Sequence, residues 1–599
     1  MSGGETADRA GRLARLRALL AGRGVDGLLL PRTDEHGSEY LPASAERVAW
    51  LTGFTGSAAQ VLVLADHAAV FTDGRYTVQI AQEVDDALFE RRHVVADPPS
   101  KWLEANLPEG GRLGFDPFLL TRGQRDRVAK VVEAKGGSLV PLSPNPLDEI
   151  WADRPAPPVS QVEALDDAFA GESSAAKRTR MGDAVAAKGA EHQLLTAADA
   201  VAWLLNVRGA DIPYNPLCLS FAILSADGTC RWFVDPRKLP EGGLPALGNG
   251  VTTEPADGLL DALDGLGRSG AKVLADPDEV HLGFVERLRA AGAKVVEGES
   301  PVLLAKACKN ATEIQGAIDA QRRDGAAVAR FLAWLDGEVG EGGLIDEIGA
   351  ANHLLEERAK DPLFRGESFP AISAHGPNSA LPHYRSTEVN NRPLDPGTLY
   401  LIDSGGQYPD ATTDITRTVA LGESSAEMRQ RFTLVLKGHV AIATAVFPEG
   451  TSGAQIDALA RLALWRHGLD FDHGTGHGVG SYLCVHEGPG RIAKTGGVPL
   501  RPGMILSDEP GYYKAGEYGI RVENLLAVEP REPPEGAEKP LLGFRTLTLC
   551  PIDRRLIVPD LLTAEERAWV DAYHARVLEE IGPLVGGAAG WLEEACAPL

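Results

Sequence analysis

The 599-residue sequence contains no run of about 18 apolar residues, so no segment is expected to cross a membrane as a helix. Its first thirty residues interleave Arg and Asp with the apolar positions and lack the unbroken apolar stretch of a secretion signal. Cysteine is scarce: Cys218, Cys230, Cys308, Cys484, Cys550 and Cys596 are scattered, with no CxxC pair, which argues against a zinc knuckle or a disulfide framework and for a reducing, cytoplasmic setting. Basic residues are the minority, 59 Lys+Arg against 84 Asp+Glu, for a net charge of -25. That field repels phosphate backbones and anionic membranes, so neither nucleic acid nor a membrane surface is expected as a partner. The acidity itself is read as solubility before any steering of cationic substrates.

What is present is the composition of a globular protein, 44% hydrophobic and 24% charged, and long enough at about 150 residues per domain for three or four units. The stretch RLARLRALLAGRG has helical apolar spacing with a glycine stop, and VDGLLL, QVLVLA and HAAVFT read as buried strands, an α/β opening. Pro155, Pro157 and Pro158 break regular structure and mark a boundary. The same grammar then repeats, with a helical reading for TRMGDAVAAKGAEHQLL followed by strands at LSFAILS, CRWFVD and AKVVEG. From Lys309 a long helical pattern with a capping start at Asn310 and Glu313 opens a third, α+β unit. The expected domains are residues 1–155, 156–305 and 306–599.

The third unit holds the residues that carry chemistry. Asp403 in LYLIDSGG and Asp414 in ATTDITRT lie in or beside apolar β-rich runs, where an unpaired carboxylate is costly; pairing with Arg417 is the ordinary way to compensate either one. His473 and His477 in HGTGHGVG are separated by glycines and read as lying on a turn, which excludes the helical HExxH arrangement, and without a following Lys the glycines are a poor phosphate cradle. Glu509 in LSDEPGYY and Glu523 in GIRVENL add two more carboxylates amid strand-forming residues. Four carboxylates and an imidazole suit hard divalent cations such as Mn²⁺, and a pair of cations needs shared carboxylates.

The order and wording of these blocks resemble the aminopeptidase P branch of the creatinase and methionine aminopeptidase, or pita-bread, superfamily. The resemblance runs from DEHGSEYLP and WLTGFTGS through DIPYNPL to TDITRT, HGTGHGVGSYLCVHEGP, DEPGYY and the tail WLEEACAPL. It implies two creatinase-like α/β domains ahead of a pita-bread metallopeptidase domain, and removal of an N-terminal residue from peptides with proline second. Asp403 would bind one metal, Asp414 and Glu523 would bridge two, and His477 and Glu509 would complete the other site, with a bridging water or hydroxide as nucleophile and Glu509 handling its proton. His383, His473 and His486 would line the substrate side, and Arg521 would orient a ligand carboxylate. Mn²⁺ is the expected metal, with Zn²⁺ or Co²⁺ as alternatives, and a homodimer the expected assembly. Gln321 stands where the resemblance leads one to expect His. Two alternatives stay open: a prolidase, confined to dipeptides, and a pita-bread binding module without catalysis.

Overall fold

The structure, a computed structural model, describes residues 3–340 and 342–599. The chain divides into two compact units, Met1–Leu165 with Glu172–Val302, and Asp166–Gly171 with Leu303–Leu599. Among the described residues no helix is long and apolar enough to cross a membrane.

In the first unit the opening helix, Gly3–Gly22, buries Leu13, Leu16 and Leu20, which fall on one face at three- and four-residue spacing. Gly24, at φ +65°, turns the chain towards a strand. The first sheet is built from β1 (Gly27–Pro31), β2 (Gln60–Leu64), β3 (Ala68–Thr72), β4 (Glu90–His93), β5 (Arg112–Phe115) and β6 (Ser138–Pro141), in the order β4-β3-β2-β1-β5-β6. Leu28 and Leu30 of β1 enter one apolar cluster and Leu29 the other, because side chains alternate faces along a strand and both faces of this sheet are covered.

The second sheet uses β7 (His192–Leu195), β8 (Phe221–Ser225), β9 (Cys230–Phe233), β10 (Val251–Glu254), β11 (Lys272–Ala275) and β12 (Lys294–Glu297), in the order β10-β9-β8-β7-β11-β12. The sheets share one pattern: β1 and β7 each pair antiparallel with the next strand in sequence and parallel with β5 or β11. The segment Thr179–Leu195, read from sequence as helical, is in fact split. Its helix, Ser174–Ala187, stops ahead of Gly189 at φ +75°, and His192–Leu195 is β7. Glycine in the left-handed region outweighs the helical spacing of the apolar residues beyond it.

The long helix of the second unit is α1 (Ala311–Gly340). The Asn310 side chain accepts the N–H groups of Thr312 and Glu313 while Glu313 accepts that of Asn310, a reciprocal cap. An antiparallel sheet follows, with β14 (Thr398–Ser404) between β13 (Ile372–His375) and β15 (Ile415–Leu421). A six-stranded sheet comprises β16 (Val446–Pro448), β17 (Gly476–Gly478), β18 (Glu487–Ile492), β19 (Ile505–Asp508), β22 (Asn524–Arg531) and β23 (Leu541–Thr546). Its order is β16-β23-β22-β19-β17-β18, and a hairpin of β20 (Gly511–Lys514) and β21 (Tyr518–Arg521) connects β19 to β22. Helices α2 (Ala426–Ala443) and α3 (Gly453–Trp465) cover one sheet face: Ile442, Ile456 and Ala460 share an apolar cluster with Leu506, Leu526 and Phe544. This packing fixes the strands whose ends carry the site, each buried Leu, Ile or Phe contributing about 1.5–3 kcal/mol.

Candidate metal centre

The five residues read as ligands occupy strands or strand ends of the second unit. Asp403 lies in β14, paired in register with Thr416 of β15, and Asp414 directly precedes β15. Asp508 and Asn524 pair across β19 and β22, so Glu509 and Glu523 sit one residue beyond the same paired step. His477 is the middle residue of β17 and not on a turn, as the glycines had suggested. Those glycines serve backbone packing: a Cβ at Gly476 would collide with the Ser507 carbonyl oxygen, and one at Gly478 with that of Glu487.

Asp414, His477 and Glu523 each offer a donor atom, and these three atoms lie within 4.8 Å of one another. His477 Nε2 is 3.5 Å from Asp414 Oδ2 and 3.6 Å from Glu509 Oε1. Its Nδ1 is 2.9 Å from the Gly478 carbonyl oxygen, and donating a proton there directs the Nε2 lone pair towards the carboxylates. Arg521 Nη2 donates to Asp403 Oδ2 at 2.6 Å, while Asp403 Oδ1 is buried with no hydrogen-bond partner among the described residues. The guanidinium reaches Asp403 from the end of β21.

The electrostatics follow from crowding. Burial, then the charges of Glu523, Asp403 and Glu509, holds the Asp414 carboxyl well above the usual range. Burial, with Asp403 and Glu509 next, does the same to Glu523. Burial pushes Glu509 up to about 7, against the pull of Arg521. A buried carboxyl cluster of this density must hold protons or cations. The oxygen-rich donor set, the orphaned Asp403 oxygen and the imidazole whose Nε2 faces the carboxylates fit divalent cations.

The three histidines expected near substrate have distinct surroundings. His486 packs edge-on against His477, ring centroids 4.4 Å apart. His383 follows Pro382, whose carbonyl accepts from the same Arg521 nitrogen that holds Asp403, at 3.2 Å. His473 Nε2 is 2.8 Å from the Tyr513 hydroxyl, and its Nδ1 is 2.7 Å from the Gly474 carbonyl. Arg521 Nη1 donates to Tyr513 Oη at 2.6 Å, so the hydroxyl proton is left for His473 and the imidazole proton for Gly474.

Tyr513 was missed from sequence although it closes the DEPGYY block, as was Thr416, whose hydroxyl donates to Glu523 Oε2 at 2.7 Å. Arg417, expected as a partner for Asp403 or Asp414, pairs with neither. It donates to the carbonyls of Thr416, Glu523, Cys550 and Pro551 and to Asn524 Oδ1, because it points away from the carboxylates into the seam between β15, β22 and the loop after β23.

A buried carboxylate and histidine cluster at strand ends on this scaffold defines a metallohydrolase-type centre. Residues 316–530 match the metallopeptidase family M24, residues 12–150 and 153–313 each match a creatinase/prolidase N-terminal domain, and residues 540–599 match the C-terminal region of peptidase M24. A probable Xaa-Pro aminopeptidase P from Coccidioides posadasii is 41% identical over 591 residues, covering 96% of each chain. Aminopeptidase P2 of Arabidopsis thaliana is 38% identical over 98% of this chain and 88% of its own length. X-prolyl aminopeptidase of Caenorhabditis elegans, described as a cytosolic enzyme with a di-nuclear active site, superposes with TM-score 0.93 at 36% identity, over 99% of this chain and all of the other. The chain belongs to metallopeptidase family M24, in its Xaa-Pro aminopeptidase P group.

Proposed function

We propose that this protein is a metal-dependent aminopeptidase that hydrolyses the bond between an N-terminal residue and a following proline. The observation that carries the reading is the convergence of Asp414, His477 and Glu523 within 4.8 Å, on a chain 41% identical to an Xaa-Pro aminopeptidase P over 96% of its length. Asp403, Asp414, His477, Glu509 and Glu523 are the residues that would hold two divalent cations, with Asp414 and Glu523 the carboxylates available to both. The oxygen-rich set favours Mn²⁺, with Zn²⁺ and Co²⁺ able to substitute. Bound cations supply Lewis acidity at the scissile carbonyl and acidify a water at neutral pH.

The chain's own groups do the rest. Glu509, beside the imidazole of His477 at 3.6 Å, would take the proton of the attacking water and return it to the leaving group. His383 and His486 donate to the oxygen that gains charge and to the departing proline nitrogen. His473, engaged through both ring nitrogens, holds Tyr513 and Arg521 in place. An X-Pro amide has no N–H and a locked ring, so recognition must come from a slot for the ring and from the free amino terminus. The reading includes a cytoplasmic location, supported by the cytosolic C. elegans relative, and a homodimer.

Hydrolysis of Arg-Pro-Pro, Arg-Ala-Ala and Arg-Pro by the Mn²⁺-loaded chain tests this. Cleavage of Arg-Pro-Pro and not Arg-Ala-Ala is expected. Cleavage of Arg-Pro alone would make the protein a prolidase, and no cleavage with metal bound would make it a binding module.

A further inference from the structure

Behind the carboxylates runs a polar chain that the mechanism does not use. Arg417, Asn524, His439 and Asp508 are all within 1% of full burial. His439 comes from α2 and meets its partners across 69 and 85 residues of sequence. Each proton in the chain can be placed. Arginine only donates, so Arg417 Nη2, 2.8 Å from Asn524, faces the amide oxygen, and the Asn524 amide nitrogen therefore points the other way. That nitrogen donates to His439 Nε2 at 3.0 Å, which makes Nε2 the acceptor and places the imidazole proton on Nδ1. Nδ1 donates to the Asp508 carbonyl oxygen at 3.1 Å, with Asp508 Oδ2 at 3.0 Å beside it.

Asn524 and Asp508 form a register pair of β22 and β19, and each adjoins one of the two glutamates: Glu523 precedes Asn524, and Glu509 follows Asp508. Arg417, at the head of the chain, also donates to the Glu523 carbonyl, at 2.6 Å. The imidazole thus ties both glutamate-bearing strand ends to one helix.

We infer that His439 is a positioning residue for the metal centre, fixing Glu509 and Glu523 relative to each other through Asp508 and Asn524. The inference rests on the proposed ligand set. Its energetic logic is that a half-satisfied buried network costs more than an apolar one, so loss of His439 leaves Asn524 and the Asp508 carbonyl to seek new partners and carries the two strand ends with them. Groups that orient metal ligands in this way are typically worth about 10- to 100-fold in metal affinity.

The test is Mn²⁺ binding to the chelator-treated full chain by calorimetry, with kcat and KM for Arg-Pro-Pro measured alongside. His439→Leu is expected to weaken Mn²⁺ binding about 10-fold or more and to lower kcat more than it raises KM. Leu464→Ala, a cavity in the apolar cluster that takes Val435, Leu436 and Val440 of α2, is expected to lower thermal stability while keeping Mn²⁺ affinity. His439→Gln can offer its amide oxygen to Asn524 but has no donor at the Nδ1 position that faces Asp508, and should fall between wild type and His439→Leu; it carries the test if His439→Leu does not fold. Wild-type affinity in the folded His439 variants would overturn the inference, provided Glu523→Gln weakens binding. Should Glu523→Gln bind Mn²⁺ as wild type does, the ligand set itself is wrong and the inference falls with it.

Discussion

Replacing Arg521 by Met separates the charge balance of the centre from its packing. The wild-type guanidinium is buried, with a side chain 3% exposed, and donates to Asp403 at 2.6 Å, Tyr513 at 2.6 Å and Thr416 at 3.1 Å. Met keeps most of the volume and removes the charge. Breaking a buried ion pair by deleting one partner costs about 3–5 kcal/mol, because the other charge stays behind. In the chelator-treated protein that full cost is expected, since Asp403 Oδ1 already has no hydrogen-bond partner among the described residues. With Mn²⁺ saturating, the carboxylate has a second source of positive charge, and the cost should fall to about 1–2 kcal/mol, the scale of the lost hydrogen bonds. Urea unfolding of the second unit, followed by tryptophan fluorescence with and without Mn²⁺, reads both numbers at matched slope. A cost below about 1 kcal/mol in chelator, or the same cost in both states, would refute the reasoning.

Three further outcomes follow from particular contacts. Tyr513→Phe strips the hydroxyl between His473 and Arg521, and steady-state kinetics should show kcat for Arg-Pro-Pro down about 10-fold, the effect of leaving buried donors unmet by 1–3 kcal/mol. Gly476→Ala forces β17 away from Ser507, and calorimetric unfolding should report about 1–3 kcal/mol lost together with weaker Mn²⁺ binding. His574 is a pH sensor for stability: burial, then Arg417, lowers its pKa to about 4, and its Nε2 accepts the Ile552 N–H at 3.1 Å. Above about pH 6.5 both folded and unfolded forms are neutral and the group adds no pH dependence. As pH falls from there to about 4 the unfolded chain takes up the proton first, and about 3 kcal/mol of stability is lost. His574→Gln keeps an acceptor without titrating, so its denaturation profile should lack that slope.

The ligand candidates were legible because each lies in a short block with its own strand grammar, and strand ends are where the fold exposes them to one another. Asp414, Glu509 and Glu523 all stand one residue outside a strand, where the sequence placed them in or beside apolar β-rich runs and only the family resemblance suggested their roles. What could not be read was the supporting contact. Arg417 looked like a carboxylate partner from three residues away, yet a β-strand turns successive side chains to opposite faces and carries it into a seam of carbonyls. His439 sits at ordinary spacing on an amphipathic helix, and its partners lie 69 and 85 residues on, a distance no local pattern encodes. The glycines around His477 were read as turn formers, while their reason is the approach of two neighbouring strands, visible only once the sheet is assembled. The alternation of helix and strand in the first unit and its repetition were legible, but the strand order shared by the two sheets was not, nor was the break at Gly189, because the apolar spacing continued through it.

The account turns on cations held by Asp414 and its neighbours carrying X-Pro hydrolysis, and one preparation tests it. Bound metal and Arg-Pro-Pro cleavage are measured together on the full chain and on Asp414→Ala, before chelation, after it and after Mn²⁺ is returned. The prediction is two Mn²⁺ per wild-type chain, activity that vanishes with chelation and returns with the metal, and an Asp414→Ala chain that binds less and cleaves nothing. Cleavage that survives metal removal, or an Asp414→Ala chain as active as wild type, would contradict it.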